Sequence, residues 1–341
     1  MQKKLLSFVK FAFFFGLGIF LVWWSIHKLS ATQYAQFIEA LKTANYYLVI
    51  PVFAILTISH ISRAIRWKIL MASMGYYPKL SNTFAAVMVG YLANFAFPRL
   101  GEVLKCTILG KYEKVPPDKL VGTILVERAV DLLSFGIVII ISLLTQAKVV
   151  GAYTKEKINT YILAGDKTAV ITRFAIMGAV LLVLLLVMRY IFKKYHHIKL
   201  VDRLKSIIKG VIEGLLSIKN LQNKWLFIFH SLVIWGCYLA GTYIGFKAIS
   251  ATAGLPVLST FPVLSFGTIA TIVTPGGIGA YPELLKEAML LYNVETSYGI
   301  ANGWLQWSAQ FVLTLIVGCA SIVALPYINK HKHESHTSHT G

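Results

Sequence analysis

Long apolar runs with few charges constrain this chain more than any other feature of its sequence. A helix needs roughly 20 such residues to cross about 30 Å of hydrocarbon. Six segments have this character, at about 8–27, 45–62, 120–145, 170–192, 225–247 and 303–326. Barrel strands would alternate apolar and polar residues, and an open sheet would leave edge amides unpaired in lipid. The sequence therefore predicts an all-α, polytopic helical membrane protein with about six full spans.

The number and placement of the charged residues indicate which kinds of partner this chain could bind. Of the 341 residues 57% are hydrophobic and 14% are charged, whereas a soluble domain carries about 25% charge. The net charge of +19 comes from Lys and Arg that cluster between the apolar runs, as they do in cytoplasmic loops. This placement indicates membrane topology and no nucleic-acid partner, and it stays compatible with a lipid headgroup. The three scattered cysteines predict no metal site, and no cofactor motif is present.

Two further apolar stretches are interrupted by Pro and Gly, and both predict broken or re-entrant hairpins. The first, 83–98, is short for a span and runs into Pro-Arg-Leu-Gly-Glu, and the second covers about 256–293. If each hairpin returns to the side that it entered, most of the Lys and Arg residues face the cytoplasm, together with both termini. A full crossing at 83–98 would instead place the basic segment 193–224 outside.

The two hairpins share a residue spacing. The pattern Gly-x-x-Ala-x-x-x-x-Pro begins at Gly90 and again at Gly267, and Glu-x-x-Lys follows at Glu102 and at Glu283. In the topology above, the halves that carry these patterns start on opposite sides of the membrane. Inverted repeats with broken helices are typical of transporters. The alternative is that two membrane segments converge on Gly, Ala and Pro because such residues are common there.

The domain organisation follows from these elements. We expect one transmembrane domain over 1–326, with half repeats at about 1–145 and 170–326, and a disordered polar tail at 327–341. Within the second half, 199–221 places apolar residues on one helical face and Lys on another, which predicts an amphipathic helix in the inner interface. Its simplest role is an anchor against anionic lipid, and headgroup capture is the alternative.

Charged residues also occur at membrane depth, where each costs about 2.5–3.5 kcal/mol and needs a partner or a function. Glu127 and Asp131 lie at i and i+4 on one helical face, with Arg128 able to reach Asp131. Together with Arg99 and Glu102, we expect them to form an ion-pair network that keeps a polar cavity open. One Arg is left over for phosphate, whose oxygens suit the guanidinium fork.

Further candidates for substrate binding lie beside this set. Arg63 and Arg66 stand at the inner end of the second span and Asn94 stands at the first break. Taken alone with Trp67, the two Arg residues are more typical of an interfacial anchor that snorkels to the headgroups.

A glycine-rich segment forms the second break. Backbone amides of this kind at a helix N-terminus can receive an anion, and the segment could equally serve as a hinge or a close-packing point. Pro282 suits the first turn of the following helix, with Glu283 at its positive end. The candidate residues of this segment are Pro275, Gly276, Gly277, Gly279 and Glu283.

Several of these motifs together resemble the lysylphosphatidylglycerol synthase transmembrane family, a flippase-like membrane domain that occurs alone or fused to a synthase. The resemblance covers about 60–326 and implies a bacterial inner-membrane protein that translocates an anionic, aminoacylated or polyprenyl-phosphate lipid. The motifs are Arg63-x-x-Arg66-Trp67, Gly90-x-x-x-Asn94-x-x-x-Pro98-Arg99-x-Gly101-Glu102, Glu127-Arg128-x-x-Asp131 and Pro275-Gly276-Gly277-Ile278-Gly279.

The chain departs from the family pattern at two places. The aminoacyl-transfer domain is absent after Pro326, so we expect no synthase activity. Three residues, 280–282, stand between the glycine motif and Glu283, whereas the family's acidic residue follows sooner. This spacing leaves open whether Glu283 takes the family position.

Three functions compete at this point. The leading one is a lipid flippase or scramblase, in which the headgroup travels through the cavity. An intramembrane enzyme is the second, since Glu127 and Asp131 could do acid–base work, but no nucleophile with its base supports it. The third is a scaffold for a lipid-modifying enzyme partner. Homo-oligomer formation stays open.

Overall fold

The computed structural model describes residues 18–97, 100–157 and 221–330, with the isolated positions 16, 168, 172 and 219. Within these ranges all regular elements are helical, which confirms the all-α class. In chain order the helices are α1 (Gly18–His27), α2 (Ala31–Lys42), α3 (Val49–Ala72), α4 (Leu80–Ala96), α5 (Leu100–Glu113), α6 (Pro117–Lys157), α7 (Lys224–Lys247), α8 (Thr260–Val273), α9 (Ala280–Leu290) and α10 (Thr296–Ile328). Single turns at Tyr46–Leu48, Ser250–Ala253, Val257–Ser259 and Pro275–Gly277 join some of them.

Three described helices are long and apolar enough to cross a membrane: Tyr46–Ala72, Lys224–Lys247 and Thr296–Ile328. They confirm the predicted spans at 45–62, 225–247 and 303–326. The first extends ten residues beyond its prediction because its charged end packs against other helices instead of ending in water. The last begins seven residues early and continues two residues into the predicted tail.

The other predicted elements are described in part. The span at 120–145 lies inside α6, a helix of 41 residues that begins at Pro117, where the missing N–H of Pro costs no helical hydrogen bond. Of the first predicted span, the structure describes Gly16 and α1. Apart from position 172, the span at 170–192 lies outside the described residues, as do most of the interfacial helix at 199–221 and the tail after residue 330.

Helices α3 and α7 form an antiparallel pair along their whole length. At one end the Asn45 N–H donates to the Ala248 carbonyl at 2.8 Å, and at the other the Arg66 Nη1 donates to the Ser231 hydroxyl at 3.3 Å. Ala64 of α3 is fully buried. Hydrogen bonds between helices are one of the interactions that hold helices together in a membrane.

Both predicted broken segments are helical hairpins. In the first, α4 and α5 touch through backbone, since a Cβ added at Gly101 would stand 2.0 Å from the Gly90 carbonyl oxygen. In the second, the turn Pro275–Gly277 joins α8 to α9. The hairpins meet where the Phe95 ring covers Gly276, whose added Cβ would lie 2.2 Å from the ring. The contact between the hairpins is therefore apolar, and the ionic residues lie elsewhere.

Candidate functional site

Two arginines of α3 converge on one carboxylate of α6. The Arg63 Nη1 lies 2.7 Å from the Asp131 Oδ2, and the Arg66 Nη2 lies 2.7 Å from the Asp131 Oδ1. The arginines are three residues apart and so share a helical face. The Arg66 side chain is fully buried, while those of Arg63 and Asp131 keep 15% and 20% exposure. Both carboxylate oxygens of Asp131 are thus already bound.

A second carboxylate extends this cluster one helical turn away. The Glu127 Oε2 accepts a hydrogen bond from the Lys105 Nζ at 2.7 Å, and its Oε1 lies 3.9 Å from the Arg66 Nη2. The Lys105 ammonium also lies 4.4 Å from the centroid of the Trp67 ring, a cation–π distance. The cluster of Arg63, Arg66, Lys105, Glu127 and Asp131 therefore holds three cations and two carboxylates, a surplus of one positive charge.

The predicted single network divides into two. Arg128 and Glu102 pair at 2.6 Å, but the Arg128 side chain is 61% exposed and stands apart from the buried cluster. Asp131 is bound by the two arginines of α3, so the expected pairing of Arg128 with Asp131 is wrong. Arg99, the remaining member of the predicted network, lies outside the described residues.

The interpretation of Arg63, Arg66 and Trp67 as a snorkelling anchor is also wrong. Arg66 and Trp67 have no exposed surface. The Trp67 indole N–H donates to the Thr123 hydroxyl of α6 at 2.7 Å. These side chains point into the helix bundle because α6 supplies a carboxylate and a hydroxyl that satisfy them, as buried polar groups require.

A cavity of about 500 Å³ opens beside the ion cluster. Its wall is largely apolar, with Leu56 of α3 and Phe135 of α6 among its members. The charged and amide groups that face it are Arg63, Arg128, Asp131, Gln306 and Gln310. An apolar pocket with a few convergent polar groups is the usual form of a ligand site.

The glycine-rich turn does not contribute to this wall. The N–H groups of Gly277 and Ile278 donate to carbonyls within the turn, at 3.0 and 3.3 Å. The Gly276 carbonyl accepts from the Trp307 indole at 2.8 Å. The predicted free amides for an anion are therefore occupied at these two positions. The cavity wall includes none of the predicted binding residues Pro275, Gly276, Gly277 and Gly279.

Close packing, the alternative role of the turn, fits what is observed. Gly276 and Gly279 have φ angles of 59° and 71°, which favour glycine. A Cβ at Gly279 would stand 2.5 Å from the carbonyl oxygen of Gly18, so α1 lies directly on the turn.

Glu283 occupies the first turn of α9, as predicted. Its Oε2 accepts from the Lys28 and Lys286 ammonium groups, both at 2.8 Å. These contacts join α1 to α9 in a second ionic cluster, and Glu283 is not part of the cavity wall. Among the residues that the structure describes, no group of three or more metal-ligand side chains is close enough to hold an ion.

Asn94 forms a hydrogen bond with the backbone at the start of α5. Its Oδ1 accepts a hydrogen bond from the Gly101 N–H at 2.9 Å, across the break in the first hairpin. This satisfies one of the N–H groups that the first turn of α5 cannot bond internally. Asn94 therefore caps α5, and it is not part of the cavity wall.

We expect Asn94→Ala to lower the free energy of unfolding by about 1 kcal/mol, the usual cost of a lost helix cap. Thermal unfolding in detergent measures the change. Asn94→Asp keeps the acceptor and adds a favourable charge at a helix N-terminus, so it should retain most of the stability. Equal loss in both variants would contradict the capping role.

Sequence reasoning missed several residues of the site. Tyr238, whose hydroxyl lies 3.3 Å from the Arg63 Nη2, is one of many aromatics in apolar spans and carries no distinguishing signal. Gln306 and Gln310 had a signal, because two amides four residues apart in an apolar helix share a face and need partners.

Comparison with known proteins agrees with this architecture. The family described as the lysylphosphatidylglycerol synthase TM region matches residues 7–325. A similar protein is the UPF0104 membrane protein MJ1595 of Methanocaldococcus jannaschii, which is 25% identical over 319 residues, covering 87% of this chain and 90% of the relative. No solved structure matches the chain. The match over nearly its whole length means that this chain belongs to the family of lysylphosphatidylglycerol synthase TM regions.

Proposed function

We propose that this protein translocates an anionic lipid across the membrane as a flippase or scramblase. The observation that carries the proposal is the pair of arginines, Arg63 and Arg128, facing a cavity whose wall is otherwise largely apolar. Charged side chains in such a place are costly and mark a path for polar substrates. The headgroup would occupy the cavity while the acyl or prenyl tails stay in the bilayer.

The charges of the cavity suit a phosphate. The adjoining cluster has a surplus of one positive charge, and Arg63, one of its members, lines the cavity. Arg128 adds an exposed guanidinium whose described ion pair is with Glu102 alone. Guanidinium groups bind phosphate oxygens in pairs, with stronger hydrogen bonds than neutral donors give.

We propose a non-enzymatic role. Acid–base chemistry needs a carboxyl group that can exchange a proton with a substrate. Glu127 and Asp131, the two candidates, are both held in ion pairs. A scaffold for a lipid-modifying enzyme stays as the competing outcome of the experiment below.

We further propose the finer features of the topology. The two hairpins would be inverted repeats that rock around the cavity, as in transporters of this design. The protein would lie in the bacterial inner membrane with both termini in the cytoplasm. Most of the 33 Lys and Arg residues then fall on the cytoplasmic side, which is the usual bias.

Arg128→Gln tests the transport role without unfolding the protein. The side chain is 61% exposed, so the change should alter the free energy of unfolding by less than about 1 kcal/mol. We expect the translocation rate of an acyl-labelled anionic phospholipid to fall about tenfold or more, as expected from the loss of a charge-assisted hydrogen bond. External dithionite applied to proteoliposomes measures the rate.

Lys119→Gln is the matched control, since it removes an exposed cation from the same helix outside the cavity wall. Its rate should equal that of the unmodified protein. Transport at the empty-vesicle rate with unmodified protein would refute the flippase proposal, and the scaffold alternative would then be favoured.

A further inference from the structure

A stripe of neutral amides runs along α10 into the cavity. Asn302, Gln306 and Gln310 are spaced four residues apart and so share one helical face. The Asn302 amide nitrogen donates to the Gly245 carbonyl at 2.9 Å and to the Thr252 hydroxyl at 3.0 Å. The Gln306 amide nitrogen donates to the Asn302 Oδ1 at 2.6 Å. The Asn302 end of the stripe is therefore held by hydrogen bonds to α7 and to the turn that follows it.

The Gln310 end of the stripe keeps free hydrogen-bonding groups. The Gln310 side-chain amide faces the cavity and bonds to none of the residues that the structure describes. Thr268 and Thr271 of α8 also line the cavity. Their hydroxyls donate to carbonyls of their own helix, both at 2.8 Å, which leaves their oxygens able to accept. Uncharged donors and acceptors thus line this part of the cavity.

The stripe lies within reach of a headgroup whose phosphate is at the arginines. Tyr238 of α7 marks the level of Arg63, and Gly245 marks the level of Gln306, since a Cβ on Gly245 would stand 2.7 Å from that side chain. Seven residues of helix separate these levels by about 10 Å. Gln310 lies one turn nearer to the arginines, because α10 runs away from the Thr252 end. About 4–5 Å along the helix axis then separates the level of Gln310 from that of Arg63, and a glycerol or a sugar spans this distance.

Among its described residues, the same wall offers no free carboxylate to an ammonium group. Asp131 is the carboxylate among the described residues of the wall, and both of its oxygens are 2.7 Å from arginines. Glu127 lies behind it, with 4% exposure and a bond to Lys105. A cationic headgroup would meet guanidinium charge without a free counter-ion, and juxtaposed like charges oppose binding.

We infer that the substrate headgroup is a phosphodiester that bears an uncharged, hydroxylated group, and that aminoacylated headgroups are disfavoured. The arginines hold the phosphate, and Gln310 with the two threonines bonds the hydroxyls. This rests on the proposed function and narrows its substrate class. Phosphatidylglycerol and a polyprenyl phosphohexose both present this chemistry.

Two measurements test the inference on the full-length protein. In proteoliposomes, acyl-labelled phosphatidylglycerol should cross more than about ten times faster than acyl-labelled lysylphosphatidylglycerol, which carries ammonium groups. Gln310→Leu should slow the translocation of phosphatidylglycerol about fivefold, the effect expected from the loss of one net hydrogen bond. It should leave phosphatidic acid, which has the phosphate without the glycerol, unchanged. Ser308→Ala, on the same helix and outside the wall, should change neither rate.

Native mass spectrometry with equimolar competing lipids separates this inference from the proposed function. Preferential retention of phosphatidylglycerol or of the polyprenyl phosphohexose over lysylphosphatidylglycerol would support the headgroup class and show which tail is preferred, even if no lipid crossed the vesicles. Equal or greater retention or transport of the lysyl lipid would overturn the inference. A Gln310→Leu effect of the same size on phosphatidic acid would also overturn it.

Discussion

Asp131→Ala should lower the free energy of unfolding by about 3–5 kcal/mol, the usual cost of removing one partner from a buried ion pair. The carboxylate binds Arg63 and Arg66 through separate oxygens. Without it, Arg66 is left fully buried with only Ser231 and a distant Glu127 oxygen as partners. Thermal and chemical unfolding in detergent micelles measure the loss.

Asp131→Asn keeps the volume of the side chain and removes its charge, so most of the loss should persist in that variant. Asp118→Ala is the control, because Asp118 is exposed in the first turn of the same helix and should cost no more than about 1 kcal/mol. Unfolding at the same denaturant concentration in Asp131→Asn as in the unmodified protein would show that the cluster contributes little to stability.

Gly101→Ala should lower the free energy of unfolding by about 3 kcal/mol or more, at the upper end of overpacking effects. The new Cβ would stand 2.0 Å from the Gly90 carbonyl oxygen and 2.8 Å from the Asn94 Oδ1. Since the nearest atom is backbone, no rotamer change relieves the clash, and α4 and α5 must separate. The yield of monodisperse protein and its unfolding temperature report the effect.

Gly122→Ala gives the matched control, because a Cβ there has no atom within 4 Å. Alanine is favoured over glycine by about 1 kcal/mol inside a helix, so this variant should be slightly more stable than the unmodified protein. The two alanine substitutions are thus expected to have opposite signs. Loss of stability of similar size in both would contradict the close approach of α4 and α5.

Local patterns in the sequence predicted the features that depend on neighbouring residues. The apolar runs gave the confirmed spans, and the Pro and Gly positions gave the two broken hairpins. Glu127 and Asp131 were expected on one face of α6, and both take part in the buried cluster. These predictions succeed because helical periodicity and backbone chemistry act within a few residues.

The ion-pair partners of the charged residues could not be predicted from local sequence patterns. Arg66 and Asp131 are separated by 65 residues, and no local pattern favours that pairing over Arg128 with Asp131. The glycine-rich turn misled for a related reason, since a sequence does not reveal that Trp307 and the turn's own carbonyls use its polar groups. Accounting for hydrogen bonds requires the folded geometry.

The contact of the Phe95 ring with Gly276 has a mechanical consequence. The ring occupies the place where a side chain at 276 would stand, and closely packed interiors transmit displacement instead of absorbing it. Neither hairpin can slide past the other without expelling this ring. A displacement of one hairpin against this contact is therefore passed on to the other hairpin.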